Sequence, residues 1–453
     1  MYKIFLSLLL FSTLYSQTVN FAEVLDLTIN NNKELKNQKL NIEISKLNIK
    51  EINAIKYGKL TFTEEVSRTN HAGHVFNSKL SSREASFNDF GAGDFTGSSS
   101  LKVEPNNLNY PEDRNNFNTK LAYDLPIFTG FKISNQKEIL KLQQKATEVK
   151  YTLNKKQLSY EVLKAYNAAV VSKEFIKAVK KAKEAISYVV KSANAFHKEG
   201  LVTKIDVKQA KVYELNTNSK LIDAQNKFDL SIAYLKFLTS KDDIKDVSEL
   251  KYIYCDISNR DNIYKRAYKN RDELKMQDFN KKAMEKNINI SNSEYYPSVY
   301  SHLEYGFNDD RLTLENDKDY YMAMIGLNYT LFDNTRNVKK QKSKIQFQKA
   351  ILDYEHLKDA IKLDLDKALL DLKSKEKILK EKKLAKDLAQ EVFDQSTLMY
   401  KNQLIAMTNL LEQEANLRKN EAELIVAKFE ITLALAKVAT VLGVDFSNTI
   451  YNK

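Results

Sequence analysis

From Phe131 to His197 the chain runs for 67 residues without a glycine or a proline, and a second uninterrupted run extends from Asp333 to Tyr400. Both residue types punctuate helices, so each run predicts one very long helix. At 1.5 Å per residue the first would be a rod of roughly 100 Å. Each rod ends at a turn and is followed by a return run, the first from about Ile205 to Leu238, the second ending near Gly443. The two turns are copies of one another. Aligning Gly200 with Gln403 places Leu201 on Leu404, Val202 on Ile405 and Asp206 on Asn409. A repeat of roughly 200 residues is a duplicated half, because solenoid units are far shorter, about 20 to 50 residues.

The first rod has a seam. Ala165, Ala169, Ile176, Val179, Ile186, Val190 and Ala193 recur at helical spacing, and small seam residues let neighbouring helices approach closely. Val207, Ala210, Leu221, Phe228, Ile232 and Leu235 carry the return helix. Upstream, Phe21–Tyr57 has apolar residues at Leu40, Ile44, Leu47, Ile52 and Ile55, an amphipathic helix interrupted near Asn30–Asn32.

At four places the period changes from helical to two. Leu60, Phe62 and Val66 alternate with polar residues, although Glu64 and Arg68 fall on the apolar face. Phe117, Leu121, Tyr123, Leu125 and Ile127 form a cleaner strand. Residues 70–115 between them are a long polar segment with no sustained period. In the second half, Val299, Leu303, Tyr305 and Phe307, then Tyr321, Ala323, Ile325, Leu327, Tyr329 and Leu331, form two strands of about ten residues with a Tyr-rich apolar face, as membrane-barrel strands have.

The first sixteen residues carry one charge, Lys3, an apolar stretch from Ile4 to Leu10, and Ser16 before Gln17. That pattern is a secretory signal peptide, whose removal takes the formal net charge from +12 to +11. Lysine and glutamate are interleaved along the helical runs, as on solvated helix faces. Nucleic acid is therefore not expected as a partner. The single cysteine, Cys255, excludes a disulfide framework. Residues 17–259 are read as a first repeat: strand hairpin 60–127, helical hairpin 131–238 and connecting subdomain 240–259. Residues 260–453 are the second, with strand hairpin 298–332, helical hairpin 333–443 and a short tail. With no Pro- or Ser-rich linker between the halves, the reading is of one elongated body.

Only helices and closed barrels satisfy their backbone in lipid. No run after the signal is apolar enough to cross as a helix, so the strands must cross. Four strands cannot close a barrel, and an open sheet exposes unpaired edges; several copies must share one.

The chain resembles the TolC family of bacterial outer-membrane efflux proteins. The resemblance rests on the order helix, strand hairpin, long helix, turn, return helix, each twice. It also rests on LPIFTGFK at 125–132 with its echo TLFDNTRN at 330–337, and on GLVTKIDVKQA at 200–210. It implies a mainly α fold with a small membrane β-barrel portion: a homotrimer whose protomers each give four strands to a shared twelve-stranded barrel, continued by a long α-helical periplasmic tunnel. It implies an outer-membrane exit duct in contact with outer-membrane lipid, working with a periplasmic adaptor protein and an inner-membrane efflux pump or ABC exporter. The cargo, whether drug, metal or secreted protein, is left open. In the family the two turns sit at the periplasmic tip, so Gly200, Leu201, Val202, Thr203, Gln403, Leu404 and Ile405 are the implied docking tips. Tyr400, Asn409 and Glu412 match positions at the tunnel entrance, and Asp206 is the first-half equivalent of Asn409. Asp206 also reads as an acid stabilised by the dipole of its helix, and Glu412 as a solvated charge beside Lys419. Gln403 departs from the family's glycine, so either Asn402 or Gln403 must turn left-handed, and asparagine is better suited. The rival reading is a periplasmic or surface coiled-coil protein without a pore.

Other signals are weak. His71 and His74 in HAGH have no nearby third ligand, and GAGDFTG at 91–97 has neither the spacing nor the context of a nucleotide loop. No nucleophile, base, metal or cofactor motif points to an enzyme.

Overall fold

The computed structural model describes residues 17–249 and 260–445; the signal segment, Cys255 and the final residues of the tail lie outside these. The chain divides into two compact units, Met1–Ile42 with Ala146–Asp278 and Leu352–Lys453, and Glu43–Lys145 with Phe279–Ile351. Each contains residues from both halves.

The first unit is helical. Strand β1 (Gln17–Val19) leads into α1 (Phe21–Asn31) and α2 (Lys33–Ala54). Asn20 opens α1 with a capping box to Glu23, satisfying two of the amide donors that a helix start leaves free. The interruption expected near Asn30–Asn32 falls at Asn32, whose side-chain oxygen accepts from the amides of Glu34 and Leu35 at 3.0 and 3.1 Å and so restarts the helix. Helices α5 (Lys132–Lys198) and α6 (Lys204–Thr239) follow later in the chain. The seam expected on α5 is its core face: Ala165, Ala169, Ile176, Ile186 and Ala193 are buried, while Val179 and Val190 are half-buried.

Residues 240–259 hold a strand that periodicity did not expose. Strand β4 (Ile244–Val247) pairs in parallel with β1. Buried Tyr166 of α5 fixes both, its hydroxyl donating to the carbonyls of Val19 at 3.0 Å and Ser248 at 2.8 Å. Strands this short have no readable period, and their pairing spans most of a half.

The second unit is built on a sheet. Strand β2 (Lys59–Thr69) is followed by α3 (Ala72–Ser81), the single turn α4 (Asn106–Asn109) and β3 (Arg114–Thr129). Helix α3 lies in the segment read as having no sustained period. Its ten residues bury only Val75 and Ser78, too few for a stripe. In the second half, α7 (Arg260–Asn270) and α8 (Asp272–Ser293) precede β5 (Ser298–Asp309), β6 (Asp319–Asn328), α9 (Thr335–Lys401) and α10 (Met407–Val441). The break between α7 and α8 repeats that between α1 and α2. There Gly443 approaches the Asn270 backbone so closely that a Cβ would lie 2.7 Å from it.

The four long strands form one antiparallel sheet in the order β2-β3-β5-β6. Its register separates two faces. Leu60 with Tyr123, Phe62 with Leu121, Leu303 with Tyr123 and Tyr305 with Tyr321 share one face; Lys59 with Asp124, Glu304 with Ala122 and His302 with Asp124 share the other. The apolar face is bare, with Phe62, Tyr321 and Ile325 at 64, 83 and 76% exposure. The motif LPIFTGFK ends the sheet's second strand. A bulge between Pro126 and Phe128 shifts its register, and Gly130 and Phe131 both take positive φ, 61° and 66°, to turn it into α5. A Cβ on Gly130 would meet the Ser293 carbonyl at 2.5 Å. Among the described residues no helix is long and apolar enough to cross a membrane.

Candidate functional site

The two turns, α5 to α6 and α9 to α10, lie in the first unit, and both stop their long helix in the same way. After α5 the Gly200 amide donates to the His197 carbonyl at 3.1 Å and the Leu201 amide to the Phe196 carbonyl at 2.8 Å. With Gly200 at φ 76° this is a Schellman stop. After α9 the Gln403 amide donates to Tyr400 at 3.0 Å and the Leu404 amide to Met399 at 2.9 Å. There Gln403 itself takes φ 59°, resolving the choice between Asn402 and Gln403 in favour of the less suited residue. The pattern of amides locks the left-handed position to one register, and Asn402 stands one residue too early for it.

The return helices start differently. Thr203 caps α6 through a capping box: the Asp206 carboxylate accepts from the Thr203 amide at 2.8 Å and its hydroxyl at 2.7 Å. Those bonds, the hydroxyl's first, hold the Asp206 carboxyl below its usual range. Ala406 stands where Thr203 does and caps α10 with no side chain. Asn409 stands where Asp206 does. The second turn therefore lacks the glycine, the hydroxyl and the carboxylate that stabilise the first.

A shared apolar cluster brings the turns together. Tyr400, Met407, Leu410 and Leu411 pack with Ile186, Val189, Ala193 and Ala210, flanked by Phe196, Val207, Phe393 and Ile405. Tyr400 is 6% exposed with its ring 5.9 Å from that of Phe196. Burial, aided by the negative charge of Asp206, pushes its pKa up. Among the described residues its hydroxyl has no hydrogen-bond partner. Outside the cluster Leu201 and Leu404 are bare, Asn409 and Glu412 are exposed, and Val202 is half-buried.

Sequence reasoning missed Glu414, a carboxylate that is only 5% exposed. It follows Leu410 by four positions and precedes Leu417 by three, an acid on an apolar seam, and that spacing was the available signal. Its carboxylate accepts from Arg418 Nε at 2.8 Å, and Arg418 also pairs with Glu421. Burial pushes the pKa of Glu414 up against the pull of Arg418. The pair borders a cleft of about 580 Å³ lined by Phe175, Val179, Tyr213 and Lys220 among others. Farther along, Lys382 with Glu423 at 2.7 Å and Lys375 with Glu430 at 2.9 Å tie α9 to α10.

The rings of His71 and His74 lie 4.8 Å apart, tilted by 53° to each other, at the start of α3. Among the described residues the group close enough to hold an ion is Glu84, Asp309 and Asp310. Glu84 is already paired with Arg114 and Lys318.

A duplicated helix-sheet-helix chain, with a four-stranded sheet bare on one face and two paired turns, is the protomer of an outer-membrane channel. A sequence model described as outer membrane efflux protein matches residues 24–240 and 263–444. The chain belongs to this family, which is one of channels rather than enzymes, and is an outer-membrane efflux duct with a periplasmic helical portion. Its fold is similar to that of the CusC channel: TM-score 0.76, 12% identity, 94% of this chain and 92% of that one. The Campylobacter jejuni CmeC outer membrane channel gives 0.75, 14%, 93% and 85%. The Vibrio cholerae outer membrane protein VceC gives 0.72, 14%, 94% and 96%. A search of curated proteins finds no match.

Proposed function

We propose that three copies of this chain close one twelve-stranded barrel and that their paired turns form its periplasmic entrance. The observation that carries this reading is the sheet's pair of open edges. Among the described residues no strand pairs with the outer edge of β2 or of β6, and in lipid an open edge leaves every second amide and carbonyl unsatisfied. Pairing β6 of one copy with β2 of the next satisfies both. Leu40, Ile44 and Leu47 on α2, 62, 53 and 56% exposed, are then covered by neighbouring copies rather than by their own chain.

Within this assembly Asp206, Tyr400, Asn409 and Glu412 border the entrance. Gly200, Leu201, Val202 and Thr203, with Gln403, Leu404 and Ile405, dock a periplasmic adaptor coupled to an inner-membrane efflux pump or ABC exporter. Bare leucines at both turns support this, since exposed apolar groups at a hairpin end are suited to a partner. Asp206 serves its capping box first, so Glu412 is the free carboxylate of the entrance, and three of them would concentrate cations there. Leu201→Asp with Leu404→Asp tests docking. Export should be lost while the assembly stays intact on a gel run without heating, and wild-type export would sink tip docking.

A further inference from the structure

The end of the sheet that leads into the long helices carries a band of rings and cations that the channel reading does not use. The register brings Lys59 of β2, Thr129 of β3, Ser298 of β5 and Asn328 of β6 to this end. The residues just beyond are aromatic and bare: Tyr57, Phe131, Tyr296 and Phe332 are 67, 55, 51 and 87% exposed. Phe131 joins two neighbours edge-on, Phe128 at 5.2 Å and Tyr296 at 5.6 Å. Such rings settle at the boundary between hydrocarbon and headgroups.

Cations stand directly against the rings. Lys56 lies 4.8 Å from the Tyr57 ring centroid, and Arg336 and Lys340 lie 5.1 and 5.4 Å from that of Tyr295. Arg336 is only 8% exposed and is held by two carbonyls, of Glu294 at 3.0 Å and Asp333 at 3.4 Å, so these bonds fix its position without cancelling its charge. Across the four chain segments at this end, Lys56, Lys59, Lys132, Arg336, Lys339 and Lys340 face two carboxylates, Glu294 and Asp333. Glu294 is the ion-pair partner of Lys339. The loops at the opposite end, residues 70–113 and 310–318, have the reverse balance, nine carboxylates to five cations.

We infer that this band is a docking surface for anionic phospholipid in the leaflet facing the helices. The cations take the headgroup phosphate, and the rings and the adjoining bare strand face take the acyl chains. A phosphate on its own needs only the cations. The continuity of the band with Ile325 and Leu327, 76 and 67% exposed on the apolar face, is what selects a lipid. The inference rests on the sheet being embedded in a membrane.

The test uses the purified full-length protein in phosphatidylcholine vesicles, probed with spin-labelled phosphatidylglycerol or spin-labelled phosphatidylcholine. The wild type should associate with the anionic probe several-fold more strongly. Lys56→Gln with Lys132→Gln and Lys340→Gln should remove most of that preference, by up to about fivefold per cation, and the three Lys→Arg changes should keep it. Equal association of both probes with the wild type overturns the proposal. So does an undiminished preference in the glutamine variant, loss of preference in the arginine variant, or abolition of the preference by free glycerol phosphate. Flotation of the protein with the vesicles reports insertion separately. A protein that fails to float overturns the membrane reading with the proposal, whereas one that floats without a headgroup preference overturns the proposal alone.

Discussion

Replacing Gln403 by glycine should stabilise the second turn. A non-glycine residue in the left-handed region costs about 1 to 2 kcal/mol, and Gln403 sits there at φ 59°. Its side chain is exposed, so little packing offsets that strain. Glycine would return part of the gain through the extra freedom of its unfolded chain, about 0.5 to 1 kcal/mol. The net expectation is about 1 kcal/mol, or roughly a fivefold change in the local opening equilibrium. The reciprocal change, Gly200→Ala, should cost a similar amount, because no atom lies within 4 Å of the added Cβ and only backbone strain is introduced. Amide hydrogen exchange measured by mass spectrometry over the two turns reads both. Gln403→Gly should slow exchange of the Gln403 and Leu404 amides, which donate to Tyr400 and Met399, and Gly200→Ala should speed it at the first turn. Unchanged exchange at residues 403–404 in Gln403→Gly would refute the strain argument, as would faster exchange there.

Restoring the missing cap, Ala406→Thr with Asn409→Asp, should add about 1 kcal/mol at the start of α10, read by the same exchange at its first turn; no added protection would show that a capping box does not form there. Arg418→Ala leaves the Glu414 carboxylate without its partner in a site 5% exposed and should cost about 3 kcal/mol near neutral pH. Because burial raises the pKa of Glu414, the charged form is the costly one in the folded chain. The penalty should therefore grow as pH rises through the raised value and shrink as acid neutralises the carboxyl, and thermal melts giving one penalty at pH 5 and pH 8 would contradict this. Glu412→Gln should weaken cation selectivity or cation block in planar bilayers, and unchanged currents would remove Glu412 from the pore.

Much of the architecture was legible because period and punctuation both speak clearly here. Long stretches free of glycine and proline became α5 and α9, and the switch to a two-residue period located all four strands of the large sheet. What was not legible depended on distant partners. Strands β1 and β4 hold together through each other and through Tyr166, more than a hundred residues from β1. The spacing on α2 reads as an apolar stripe, yet Leu40, Ile44 and Leu47 stay exposed among the described residues. The aligned copies located the two turns, but only the amide pattern shows that Gln403 carries the left-handed backbone. Asp206 is spoken for by Thr203, a capping box where the sequence alone reads as an acid held by the helix dipole. Glu414 is a buried acid outside the positions that the family resemblance singles out.

The central claim is that copies of this chain join edge to edge, β6 of one to β2 of the next, and disulfide trapping tests it directly. In a Cys255→Ser background, Ile325→Cys on the apolar face of β6 would be combined in turn with Leu60→Cys, Phe62→Cys or Val66→Cys on the apolar face of β2. Matched controls would place the second cysteine at Thr61 or Thr63 on the other face. The account predicts that at least one same-face pair yields a covalent trimer on oxidation in outer membranes, surviving heat in detergent, and that the opposite-face pairs do not. Heat-dissociable monomers from every same-face pair would contradict it.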